Sequence, residues 1–169
     1  MERAGLFHPE ARIELIDGEL IDMAPNGEGH GTGLNSFARA LFTACGDRAT
    51  LWVQSTVRLG PMDLPQPDFA VLRPRNDFYV GRHPEPADML LLIELSDASI
   101  RYDRNVKRPL YARAGVPEYW IVDLKKRVVE AYRNPSPNGY DPPTTHKRGD
   151  RLPLAAAPEI VVPLDIVFP

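Results

Sequence analysis

Cysteine is nearly absent from the 169-residue chain. Its single copy, Cys45, excludes an intrachain disulfide and a cysteine-built zinc site and points to a reducing compartment. Long hydrophobic runs are lacking too: the longest clean one, Met89 to Ile93, has five residues, against about 20 for a membrane span. Met1 to Pro9 shows no basic segment leading into an apolar stretch, so it does not read as a secretory signal, and a cytoplasmic protein is expected. Positive charge is not in excess either. The 20 Lys and Arg against 23 Asp and Glu leave −3, which argues against coating nucleic acid by bulk attraction. Lysine is scarce, at positions 107, 125, 126 and 147 only, and there is no internal repeat.

What remains is an ordinary globular composition, 43% hydrophobic and 25% charged, on a length suited to a single domain over residues 1–169. Charge is unevenly placed. Residues 1–96 carry 8 basic and 14 acidic side chains, a balance of −6, and residues 97–169 carry 12 and 9, a balance of +3. An anion-facing surface therefore belongs to the second half.

Asp17-Gly18 between two short apolar stretches predicts a hairpin over Arg12 to Met23. Pro25 and the glycines at 27, 29, 31 and 33 read as a loop. Leu34, Phe37, Ala38, Leu41, Phe42 and Cys45 then recur at helical spacing, which predicts an amphipathic helix ending near Gly46 with Cys45 on its buried stripe. Alternation from Leu51 to Leu59 predicts a strand, followed by a shorter one at Asp68 to Leu72. Residues 73–88 hold Pro74, Gly81, Pro84 and Pro86 and read as a long loop.

Met89 to Ser96 is nearly all apolar and predicts a central strand. A helix should follow, ending at Gly115, and Pro109 requires it to begin near Lys107 or to kink there. Glu118 to Leu124 and Val128 to Arg133 predict two further strands, Asn134 to Gly149 a loop, and Leu152 to Leu154 and Ile160 to Phe168 short strands finishing the sheet. The expected class is α/β or α+β, a mixed central sheet flanked by helices.

Glu94 interrupts the apolar run of the central strand. A buried carboxylate without a partner costs several kcal/mol, so it calls for a counter-ion, a metal or a proton; an arginine partner at a strand end is the bland alternative. Asp68 opens a neighbouring strand, where Pro-Asp by itself is more often a turn. Two carboxylates at neighbouring strand ends make an oxygen-rich cradle for a hard cation such as magnesium. Lys107 stands thirteen residues after Glu94, on the helix leaving that strand, where it is either the cation beside that cradle or a surface lysine bridged to Asp103.

These residues lie in a wider pattern. It comprises Asp17-Gly18-Glu19, His30 ahead of a helix, Pro67-Asp68, Glu94-Leu95-Ser96-Asp97, Tyr102-Asp103, Lys107, Tyr111-Ala112, and Gly115-Val116-Pro117-Glu118-Tyr119-Trp120-Ile121-Val122-Asp123. Over about residues 12–133 it resembles the Uma-type restriction endonuclease family of the PD-(D/E)XK nuclease superfamily. The resemblance implies a restriction-endonuclease-like fold and cleavage of DNA phosphodiester bonds dependent on magnesium or manganese. Asp68 and Glu94 match the metal-binding acids. The superfamily lysine, two residues after the second acid, is replaced by Ser96, and Lys107 matches the lysine moved to the following helix. His30 and Glu14 match recurrent family positions, His30 as a residue that supports a metal ligand or contacts substrate and Glu14 as a structural or metal-associated carboxylate.

In such chemistry Lys107 stabilises developing negative charge or orients the attacking water. Arg101, Arg104 and Arg108 would track the phosphate backbone. A homodimer is expected, because double-strand cleavage by so small a chain needs two active sites. Tyr119-Trp120-Ile121 is a candidate contact if it lies at a sheet edge, with burial in the core the alternative. Competing with the endonuclease are a catalytically inactive nuclease-fold binding module and a small-molecule phosphoesterase.

Overall fold

The computed structural model describes residues 13–23 and 28–168. The reading of Met1 to Pro9, and Pro25 and Gly27 of the expected loop, lie outside the described residues. Strands β1 (Ile13–Ile16) and β2 (Glu19–Asp22) form a separate antiparallel hairpin. Its turn places Asp17 and Gly18 at φ 50° and 80°, as an Asp-Gly hairpin turn demands.

The central sheet has six strands in the order β3 (Thr50–Val53), β4 (Phe69–Leu72), β5 (Met89–Ser96), β6 (Glu118–Asp123), β7 (Val128–Arg133) and β8 (Thr144–Lys147). Only β5 and β6 are parallel. A parallel pair needs a crossover, usually helical, and residues 100–113 provide it as α2 (Ile100–Tyr102), a π-turn (Asp103–Lys107) and α3 (Arg108–Arg113).

Helix α1 (Glu28–Cys45) packs Phe37 and Leu41 with Phe69, Val71, Leu91, Ile93, Trp120 and Val122. The opposite cluster joins Ala70, Leu72, Leu92, Tyr119 and Ile121 to Leu110 and Tyr111 of α3. Period-two alternation along β4 and β6, and along β5 from Leu91 onward, feeds two apolar layers, while a bulge at Leu90 puts both Leu90 and Leu91 on the α1 side, so these strands are buried on both faces.

Five expectations change. First, α1 starts at Glu28, so Gly29, Gly31 and Gly33 are helical. A Cβ on Gly33 would lie 2.8 Å from Leu124 Cδ2, so glycine here lets the helix approach the β6–β7 turn. Second, the strand expected from Leu51 to Leu59 stops at Val53. Gln54 takes φ 43°, and Val57 bonds a single carbonyl, that of Pro65, opposite a stretch whose prolines 61, 65 and 67 have no N–H for a ladder.

Third, β8 lies within the expected loop at 134–149, paired through Val128↔Lys147. Fourth, β9 (Arg151–Pro153) and β10 (Val161–Pro163) form their own hairpin rather than finishing the sheet, and α4 (Leu164–Val167) follows against α1. Last, Tyr119-Trp120-Ile121 is internal, between β5 and β7 and fully buried, and so is no edge for association.

Glu118 fastens the β9–β10 hairpin to the sheet. Its buried carboxylate accepts from Trp120 Nε1 (2.8 Å), Arg133 Nε (2.7 Å) and the Ala155 N–H (2.6 Å), while Arg133 Nη2 also donates to the Pro153 carbonyl. Glu118→Ala removes three charge-assisted bonds and should cost about 3 kcal/mol in urea denaturation. A loss below about 0.5 kcal/mol would show that the carboxylate does not hold the hairpin.

Candidate active site

The β4–β5 register sets the two acids against each other. Phe69 pairs with Ile93, and the same antiparallel alignment carried one residue further puts Asp68 opposite Glu94. The Leu95 N–H donates to Asp68 Oδ2 at 2.8 Å. Asp68 Oδ1 takes Gln54 Nε2 at 3.2 Å and lies 3.0 Å from His30 Nε2, on the first turn of α1. Both acids are buried.

Lys107 closes the other side. Its Nζ lies 2.9 Å from Glu94 Oε1 and 3.0 Å from Glu14 Oε1, and Glu14 Oε1 also accepts the Gln66 N–H at 2.7 Å. Tyr111, one turn further along, donates its hydroxyl to Glu94 Oε1 at 2.9 Å. Lysine and tyrosine at i and i+4 share a helix face, which together with the place of Tyr111 in the family pattern could have assigned it to this cluster. Gln54 offered none, because only strand pairing brings it to Asp68.

Pro109 explains the helix. Its missing N–H and its ring conflict with an α-turn ending there. The chain instead widens, and the Arg108 N–H reaches back to the Asp103 carbonyl, a five-residue π bond. Lys107 is thereby turned inward, and it does not bridge to Asp103. Asp103 Oδ2 accepts from Ser96 Oγ (2.6 Å) and Ser99 Oγ (2.7 Å), so Ser96 anchors the π-turn.

The three arginines differ. Arg104 forms a two-bond pair with Glu130 of β7, with Nε to Oε2 at 3.0 Å, and Arg108 lies 5.5 Å over the Tyr132 ring. Only Arg101 is exposed. Cys45 is buried, its thiol pushed up to about 11 by burial, which fits packing rather than nucleophilic chemistry.

Burial, reinforced by Asp68, Asp103 and Glu14, holds the Glu94 carboxyl well above the usual range against the opposing Lys107 charge. Burial pulls the Lys107 ammonium down, but Glu94, Glu14 and Asp103 outweigh it and keep it protonated. For Asp68 burial pushes upward, and His30, the Leu95 N–H and Gln54 reverse it, leaving the carboxyl below its ordinary value. Burial raises Asp103.

Three carboxylates, Glu94, Glu14 and Asp103, thus act on one ammonium, and Glu14 Oε2 is buried with no hydrogen-bond partner. Among the described residues no group of three or more His, Cys, Asp and Glu forms a metal cage. A hard cation needs less: one or two carboxylates, with solvent completing the shell. The all-oxygen pair Asp68 and Glu94 fits such an ion, whose charge would favour the ionised Glu94 against the burial and the neighbouring carboxylates that raise it.

The architecture is a mixed six-stranded sheet sandwiched between helices. The chain superposes on a putative nuclease of the DUF820 group from Anabaena variabilis ATCC 29413 with a TM-score of 0.72 and 15% identity, covering 99% of this chain and 95% of that one. The chain belongs to the Uma2 family, described as "Putative restriction endonuclease", whose model matches residues 1–165. No curated protein matches it. Among the described residues no helix is long and apolar enough to cross a membrane.

Lys107→Met strands two buried carboxylates and should cost about 3–5 kcal/mol at neutral pH. Glu94 has a folded pKa above its unfolded value. Its protonated form therefore favours the native state, and that stability is present below the unfolded pKa and lost as pH rises through the folded one. Urea denaturation should accordingly find the variant closer to wild type at pH 5 than at pH 7. An equal deficit at both values would mean that Glu94 does not take up the proton.

Proposed function

We propose that the protein is an endonuclease that hydrolyses DNA phosphodiester bonds with magnesium or manganese held by Asp68 and Glu94. The observation that carries this reading is the Lys107 ammonium 2.9 Å from Glu94 Oε1, at the strand end where Asp68 lies opposite. The cation, when bound, supplies Lewis-acid stabilisation at the phosphoryl group and a more acidic water.

The remaining roles belong to the chain. Lys107 is held protonated by its carboxylate neighbours, so it serves as a fixed positive charge facing the charge that develops on the phosphoryl oxygens, not as a general base. Three donors fix the Asp68 carboxylate, and Tyr111 and Lys107 together orient one oxygen of Glu94. His30 positions Asp68 through its ring nitrogen, and Glu14 positions Lys107. Arginine at 107 keeps the charge, but its planar fork does not match a slot cut for a compact ammonium.

A second reading, the catalytically inactive binding module, draws on the same ion pairs, because both Glu94 and Glu14 already satisfy Lys107. A plasmid assay separates the two. Wild type should nick supercoiled DNA with magnesium or manganese and not with chelator. Asp68→Asn, Glu94→Gln and Lys107→Met should each lose about 100-fold or more, and Lys107→Arg should recover little. Because a double-strand cut by a one-site chain needs two copies, linear product should rise more steeply with protein concentration than nicked product. No nicking by folded wild type with either metal would leave the binding module as the function.

Metal binding is separable from turnover. Calorimetry should find one magnesium or manganese site in wild type, and Asp68→Ala should lose it. Equal binding by both would remove Asp68 from the metal site.

A further inference from the structure

We propose that the turn Leu124–Arg127 and the end of β8 form a ridge, carried by Lys125, Lys126, Lys147 and Arg148, that docks the phosphate backbone of duplex DNA beside the carboxylates. The inference rests on the DNA reading above and replaces Arg104 and Arg108 as backbone contacts.

The topology brings these residues to the active end of the sheet. β5 and β6 run parallel, so Ser96 and Asp123 finish side by side, and the Leu124 N–H donates to the Ser96 carbonyl at 3.1 Å. The basic turn is therefore hooked to β5 two residues beyond Glu94. Val128↔Lys147 brings the end of β8 to the same edge, one strand further on. From β5 to β8 is three strand spacings, roughly 15 Å, enough to face about four phosphates of one strand.

Both turns are stiff. Asp123 Oδ1 accepts the Lys126 N–H at 2.9 Å, the Arg127 N–H returns to the Asp123 carbonyl at 2.8 Å, and Leu124 rests against Gly33 of α1. In the second turn Lys147 and Asp150 exchange backbone and carboxylate bonds at 2.8 and 3.0 Å.

The ion pairs on the ridge are loose. Lys125 Nζ lies 3.3 Å from Asp97, Lys126 Nζ 3.9 Å from Asp123 and Arg148 Nε 3.9 Å from Asp165, with the three basic side chains 63–70% exposed. Such surface pairs contribute about 0–1 kcal/mol, so a phosphate displaces them readily. Arg104 and Arg108 are instead half-buried and held to β7.

The test is fluorescence anisotropy on a labelled duplex of about 20 bp in chelator, across a salt series. The proteins are wild type, Lys125→Gln/Lys126→Gln, Lys147→Gln/Arg148→Gln, and Arg75→Gln on the β4–β5 loop at the other end of the sheet. Each double variant should bind about fivefold or more weakly, with a salt slope shallower by about 1.8, or 0.9 per lost contact, and Arg75→Gln should match wild type. Ridge variants that bind like wild type, or an equal loss with Arg75→Gln, overturn the ridge and leave the nuclease reading standing. Ridge-dependent binding by a protein that never nicks plasmid supports the ridge and removes the nuclease reading. No duplex binding at low salt overturns the ridge.

Discussion

A single ammonium buried between two carboxylates holds one end of the central sheet together with its crossover and hairpin. Lys107 reaches Glu94 on the central sheet and Glu14 on a hairpin that belongs to no other sheet. Neither acid tolerates burial without that charge, and the charge does not tolerate burial without them. The placement of β1, the backbone of the Gln66 segment and the π-turn are all conditions for one three-centre contact. The hairpin is further tied by Leu15 to Leu64 and by Gly18 to the Met62 carbonyl, so the position of Glu14 is set by backbone bonds.

Strand direction determines where chemistry is available. An antiparallel β4–β5 pair brings Asp68 to Glu94, and a parallel β5–β6 pair brings the crossover helix back over the same end. The two relations together put a strand start, a strand end and a helix turn in one place. The apolar layers on either face hold β5 rigidly, and its polar residues Glu94 and Ser96 appear only in the last three positions, where the α1 layer gives way to His30 and the second layer to the π-turn.

Much of this was legible in the residues. The hairpin at Asp17-Gly18, the central strand with its misplaced Glu94, the β6–β7 pair and the disturbance at Pro109 each followed from local turn chemistry or from a run of one character. The errors share a cause. Gly29, Gly31 and Gly33 look like a loop by propensity, yet the helix extends through them, with Gly33 packed closely against the Leu124 side chain. The alternation from Leu51 to Leu59 looks like one strand, yet pairing stops where the partner has prolines. β8 is short, polar and exposed, and shows no pattern at all until β7 supplies its hydrogen bonds.

From the sequence by itself came most of the elements, the two acids and the lysine, because burial cost makes a charged residue conspicuous in an apolar run. Only the tertiary structure decided which cation meets which anion. It placed Tyr111 against Glu94 and Gln54 against Asp68, turned Arg104 and Arg108 toward β7, buried Tyr119-Trp120-Ile121 inside the sheet and gathered the late lysines at the same end of the sheet as those acids. Those outcomes depend on strand order and register, which bring together residues as far apart as Glu14 and Lys107 and which no local pattern encodes.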